Sequence, residues 1–254
     1  MNIIDLVTDK NAIIFILLFS RISGFFAFLP FFSHTNISVS IKTALALYIT
    51  ILLFPVATYT QLPMTELSMF FAVVTELSFG FFAGFLLNIV FGALSFAGSQ
   101  ISMVMGFSMA TVFDPLSGNN SPLISQILTL LAVMVFLFFD GHHLILLYLS
   151  DSLSEVTLGG FYPHDGLLKV MVSAVANLFK LGLIIAFPII ALSLLSDIIF
   201  GMLMKTMPQF NLLVVGFPIK IFLSTLVLVT ILGSMMKLFR EDFLRYFELL
   251  KALF

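Results

Sequence analysis

Apolar residues run along this chain in six blocks, at about 11–33, 43–57, 67–104, 123–149, 167–196 and 212–236. A helix needs about 20 apolar residues to cross a bilayer, and two of the blocks exceed that. Residues 77–113 hold no charged side chain; as one helix they would extend for about 55 Å. The pattern predicts an all-α, polytopic membrane-type protein with about six apolar segments, some of them long or broken helices. No internal repeat or low-complexity linker interrupts it, so residues 1–254 read as a single unit.

The first block is read as part of the mature protein. Residues 1–10 carry Asp5 and Asp9 against a single Lys10, and the apolar run behind them is broken by Arg21. A cleavable signal peptide needs a basic start and a small-residue cleavage site.

Composition agrees with the hydropathy. The chain is 61% hydrophobic and 9% charged, with a mean hydropathy of +1.19, whereas soluble domains are about 45–50% apolar and about 25% charged. Eleven basic and thirteen acidic side chains are too few to coat a water-facing surface. The absence of cysteine excludes disulfides, thiol catalysis, iron–sulfur clusters and cysteine-based zinc sites. A net charge of −2 gives no basic field for nucleic acid.

The charges are unevenly placed. Between Lys42 and Lys169 there is no Lys or Arg, while Glu66, Glu76, Asp114, Asp140, Asp151, Glu155 and Asp165 fall in that window. Basic residues mark cytoplasmic loops, so the connection from Asp151 to Asp165 is expected outside the cytoplasm. Lys237, Arg240, Arg245 and Lys251 follow the last apolar block, which predicts a cytoplasmic C-terminus. Between them Phe239, Phe243, Phe247, Leu250 and Phe254 recur at helical spacing, as in an amphipathic helix. Such a helix would either be solvated beside the membrane or dock on a partner.

Glu76, Gly80, Gly84, Asn88 and Gly92 fall every four residues on one ridge of the third block, and Ser95, Ser99 and Ser102 continue a small-residue stripe. Glycines four apart let another backbone approach closely, within the chain or between subunits. Arg21, Glu76, Lys180, Asp197 and Lys220 lie in or beside apolar runs; charges at such depth pair or line a wet cavity. Pairing is the expectation here, since a proton relay would want more buried acids.

Catalytic signatures are scarce. His142 and His143 are adjacent and would point about 100° apart on a helix, not as an i,i+4 metal pair. Gly106–Met109 resembles an intramembrane serine-protease loop but lacks its closing glycine. No Walker loop or dinucleotide fingerprint occurs, and neither enzyme activity, a metal nor a cofactor is expected. The stretch GSQISMVMGFSMATVFDPLSGNNSP at 98–122 joins blocks three and four. Its methionines are soft and adaptable, and Gly106, Pro115, Gly118 and Pro122 break regular helix. It is either a pore-lining loop or a plain turn outside the membrane, because irregular backbone at membrane depth needs protein or water around it.

Several blocks together resemble the FliR family of flagellar type III export-gate proteins, whose virulence counterparts are the SctT proteins. They are RISGFFAFLPFF at 21–32, the Glu76–Gly84 ridge, QISMVMGFSMATVFDP at 100–115 and DGHH at 140–143. The last runs from Pro188 through Asp197, Gly201 and Lys205 into PQFNLLVVGFPIKI at 208–221. The resemblance implies an inner-membrane subunit of the flagellar basal body. It would form, with FliP and FliQ, a conduit for unfolded flagellar proteins, with FlhB, FlhA and the basal-body ring nearby. It implies a FliP-like part over roughly 1–169 and a FliQ-like hairpin over 170–254. It also implies a plug in the 105–121 stretch, formed or braced by Met105, Gly106, Phe107, Ser108, Met109, Asp114, Pro115 and Gly118. Glu76, Gly80, Gly84, Lys205 and Lys220 would serve helix packing or subunit pairing. The alternatives are an injectisome gate subunit and a secondary transporter; the latter should show paired broken helices around a midplane site, a symmetry this sequence does not display.

Overall fold

The computed structural model describes residues 9–28, 38–57, 65–107, 122–162, 165–207 and 212–253, and all its main elements are helical. Helix α1 spans Asp9–Phe28, and α2 spans Val39–Leu53 before a 3₁₀ turn at Phe54–Val56. Helix α3 runs over Glu66–Met105, 40 residues or about 60 Å. Helices α4 (Leu123–Phe138) and α5 (Gly141–Glu155) follow. Helix α6 (Asp165–Thr206) contains Pro188, and a π turn at Leu212–Gly216 leads into α7, Phe217–Leu253.

Among the described residues, five helices are long and apolar enough to cross a membrane, and the broken pair α4–α5 makes up to six. The fourth apolar block is therefore not one rod. It breaks at Asp140, which adopts φ 57 in the left-handed region, a conformation that Asp tolerates better than most residues. From Phe217 onward the sixth block and the amphipathic tail, in contrast, form one uninterrupted helix, α7.

The chain folds as two compact units. The first comprises residues 1–89, 137–174 and 243–254. Here α1 packs along α2 and crosses α3 at backbone contact distance. A Cβ at Gly24 would stand 2.6 Å from the Leu77 carbonyl, one at Gly80 would fall on the Arg21 carbonyl, and one at Gly84 on that of Phe25. Leu17, Ile22, Phe25, Phe79 and Leu86 fill the core around the crossing. Phe243, Phe247 and Leu250 of the tail are buried in this unit as well, with Phe243 against Phe139 and Phe247 against Tyr148. The face that read as solvated or partner-docking is thus covered by the chain itself.

The second unit comprises residues 90–136 and 175–242. Ser125 donates to the Ser95 carbonyl at 2.9 Å, beside Gly98, whose missing side chain admits the Ser125 backbone. Gly182 sits against Phe96 and the Ala93 carbonyl, and Phe91 meets Phe239 edge-on at 4.9 Å. The small-residue stripe of α3 thus continues as a contact surface for α4 and α6.

A cleft of about 340 Å³ in the first unit is lined by Tyr148, Asp151, Ser152, Ser154 and Glu155 together with Leu250 and Lys251. Residues lining one cleft cannot lie on opposite faces of a hydrocarbon layer about 30 Å thick. We therefore expect the acidic last turns of α5 and the basic tail on one side of the membrane, where the charge pattern alone separates them. Cysteines introduced singly at Ser154 and Ala252, both exposed, should react with an impermeant maleimide from the same side. Labelling from opposite sides would rule out the cleft.

Candidate functional site

The most concentrated chemistry in the first unit surrounds Arg21, on α1, and Glu76, on α3; both are among the buried polar residues, at 1% and 0% exposure. Arg21 Nε donates to Glu76 Oε2 at 2.5 Å and Nη2 to Oε1 at 3.1 Å, a two-pronged pairing that suits the planar guanidinium. Nη1 and Nη2 also donate to the carbonyls of Ser152 and Val156 at 2.9 and 3.0 Å. Those carbonyls close the C-terminal end of α5, where a cation is favoured by the helix dipole. Gly159, at φ 79, donates its N–H to Glu76 Oε1 at 2.7 Å, and the Phe79 ring lies 4.5 Å from Arg21 Cζ. The cluster thus joins α1, α3, α5 and the turn after it. With its charges paired and four of the five guanidinium N–H groups bonded, the cluster acts as a lock between these segments.

In the second unit the end of α3 carries the start of the proposed plug. Met105 is buried. Gly106 (φ 90) donates to the Met103 carbonyl at 3.2 Å and Phe107 to that of Ser102 at 3.1 Å, the paired bonds of a Schellman cap. Ser193 of α6 donates to the Val104 carbonyl at 2.8 Å, satisfying another terminal acceptor. A Cβ at position 106 would stand 3.1 Å from the Phe217 ring. Gly106 is therefore the left-handed cap of α3. Gly106→Ala should lower stability by about 1–2 kcal/mol through the left-handed backbone alone. This would appear as a lower unfolding midpoint in detergent with faster amide exchange at residues 106 and 107; unchanged exchange would remove the cap. Ser108, Met109, Asp114, Pro115 and Gly118 lie outside the described residues.

Lys220 of α7 donates to both carboxylate oxygens of Asp197 on α6, at 2.7 and 2.9 Å, and Asn177 donates to Asp242 at 3.3 Å. These contacts tie α6 to α7 within the second unit. Lys205, in the last turn of α6, is exposed. Of the sequence-derived site residues, Glu76, Gly80 and Gly84 thus meet α1 of the same chain and Lys220 meets Asp197. Missing from the sequence reading were the carbonyls of Ser152 and Val156 and the amide of Gly159, which no side-chain signal marks. Asn177 and Ser193 were also missed, being single polar residues in apolar helices.

The chain matches the family of bacterial export proteins, family 1, over residues 12–246. It is 31% identical over 245 residues to the flagellar biosynthetic protein FliR of Bacillus subtilis, covering 94% of this chain and 93% of the relative. The chain belongs to the FliR family. Other FliR proteins are similar over much of their length. That of Aquifex aeolicus is 29% identical over 252 residues, 96% of each chain. That of Escherichia coli is 29% identical over 199 residues, 78% of this chain and 76% of the relative. FliR-family membership places the chain among export proteins rather than enzymes. With its long apolar helices, this FliR-family chain is a multi-pass membrane protein.

Proposed function

We propose that this chain is the FliR-type subunit of a flagellar type III export gate in the bacterial inner membrane. There it assembles with FliP and FliQ into the conduit for unfolded flagellar proteins, with FlhB, FlhA and the basal-body ring as neighbours. Near-full-length membership of an export family, with relatives that are flagellar by name, carries the reading. Those names favour the flagellar machine over the injectisome and over a transporter.

The uncovered helices support assembly. Only 22% of the best apolar window of α2, and 22% of that of α7, is buried within the chain, against 67% for α3. On α6 and α7, Phe187, Leu194, Ile198, Phe222 and Val229 stand exposed, and such surface calls for lipid or other subunits. Residues 1–169 serve as the FliP-like part and 170–254 as the FliQ-like hairpin, a division supported by the Lys220–Asp197 tie. Lys205 is the exposed candidate for pairing between subunits, whereas Glu76 and Lys220 already bond within the chain.

The 105–121 stretch acts as the plug. A conduit for unfolded chains must hold back ions at rest and still open, and methionines and small residues give a deformable seal. The fixed cap at Gly106 supports this by giving the loop a firm base. The chain does no covalent chemistry; it forms part of the wall and the closure.

Affinity isolation of the full chain from cells in mild detergent should recover FliP, FliQ and FlhB together. A stable particle of this chain alone, with those proteins expressed, would overturn the proposal. Deleting 106–114 in a gate that still assembles should raise ion conductance across the membrane, and unchanged conductance would remove the plug.

A further inference from the structure

The junction of α4 and α5 holds an arrangement that the export reading does not use. Asp140 stands at the N-cap of α5, yet its side chain makes no capping hydrogen bond, which is what an Asp there ordinarily provides. One of its carboxylate oxygens lies instead 3.4 Å from Nδ1 of His143. The rings of His142 and His143 lie with centroids 4.2 Å apart and planes 35° apart. A possible ligand atom from each of the three residues falls within 4.8 Å of the others. The Asp140 and His143 side chains are 72% and 65% exposed, so burial does not explain the convergence. Adjacent histidines diverge at their Cβ atoms on a helix, but at an exposed first turn the side-chain torsions are free to bring the rings together.

We propose that Asp140, His142 and His143 form a binding site for a divalent transition metal of the Zn²⁺, Co²⁺, Ni²⁺ and Cu²⁺ class. Two imidazole nitrogens and one carboxylate oxygen are a donor set that suits these ions; Ca²⁺ and Mg²⁺ want oxygen ligands throughout. Metal–ligand bonds of about 2.0–2.2 Å require the donors to close slightly from their present spacing, and exposed side chains do so by rotation alone. Three protein donors leave coordination positions for water or for a side chain from a neighbouring protein. A bound ion would join the residue at the break to the first turn of α5 and fix the local backbone there. The inference does not depend on the export reading.

The test uses the full chain in mild detergent, isolated through a tag without histidine. Co²⁺ is followed by visible absorption, and Zn²⁺ by competition with a chromogenic chelator. The expected result is one ion per chain, with binding weakened at least about ten-fold in Asp140→Asn, His142→Ala and His143→Ala, and abolished when both histidines are replaced. Circular dichroism and gel filtration report whether the variants fold; His142→Gln with His143→Gln serves if the alanine pair does not. No stoichiometric binding by the unaltered chain would overturn the site. So would full-strength binding by the folded double variant, which would put the ion elsewhere, as on His34 or His164.

Discussion

Glu76→Ala should destabilise the folded chain by about 3–5 kcal/mol, the usual consequence of removing one partner from a buried ion pair. The substitution strands the Arg21 guanidinium in a dry site and also leaves the Gly159 amide without its acceptor. Thermal or denaturant unfolding in mild detergent reads the change. A second variant separates charge from packing: Arg21→Met combined with Glu76→Met removes both charges while keeping apolar bulk. It should recover part of the loss and not all, because the Ser152 and Val156 carbonyls and the Gly159 amide lose their partners, at about 1–3 kcal/mol for each buried group left unsatisfied. A loss below about 1 kcal/mol for Glu76→Ala, the range of an exposed pair, would mean that water reaches the cluster.

Gly80→Ala should be nearly as severe, at about 3 kcal/mol or more, the upper range of overpacking. A single methyl there would occupy the position of the Arg21 carbonyl and press on the Phe25 amide nitrogen at 2.7 Å. Both obstacles are backbone, so no rotamer change relieves them, and α1 must move away from α3. That movement would pull Arg21 off Glu76 as well. Gly233→Ala is the control: nothing lies within 4 Å of its added methyl, and alanine favours a helix interior by about 1 kcal/mol over glycine. Equal behaviour of the two variants would mean that α1 and α3 do not cross at backbone contact.

These two sites also show how far the sequence could be read. The four-residue spacing of Glu76, Gly80 and Gly84 announces a close-packing face, because periodicity is a property of one helix. That α1 is the partner is a tertiary fact, and nothing near Arg21 points 55 residues ahead to Glu76. The all-helical class and the overlong third block were legible from hydropathy. The break in block four was not, since hydrophobicity continues through Phe138 and Phe139 and only the Asp140–Gly141 pair signals a turn. The continuity of α7 was missed for the converse reason: its charges imitate a boundary while helical spacing runs on. Charge rules, applied by local residue sign, assign the 151–165 connection and the tail to opposite sides, whereas Asp151, Ser154 and Glu155 at the end of α5 share a cleft with Lys251.

The Arg21 cluster also imposes an order on biogenesis. A ribosome delivers α1 and α3 first, and the Gly159 amide that completes Glu76 lies 83 residues further along. At about 5–20 residues per second that separation amounts to roughly 4–17 s of synthesis. Throughout that interval the nascent α1–α3 crossing must hold a charge pair whose remaining partners do not yet exist. The direct Arg21–Glu76 contact is what lets two charged helices wait together, and emergence of the α5 end converts a provisional crossing into a closed one.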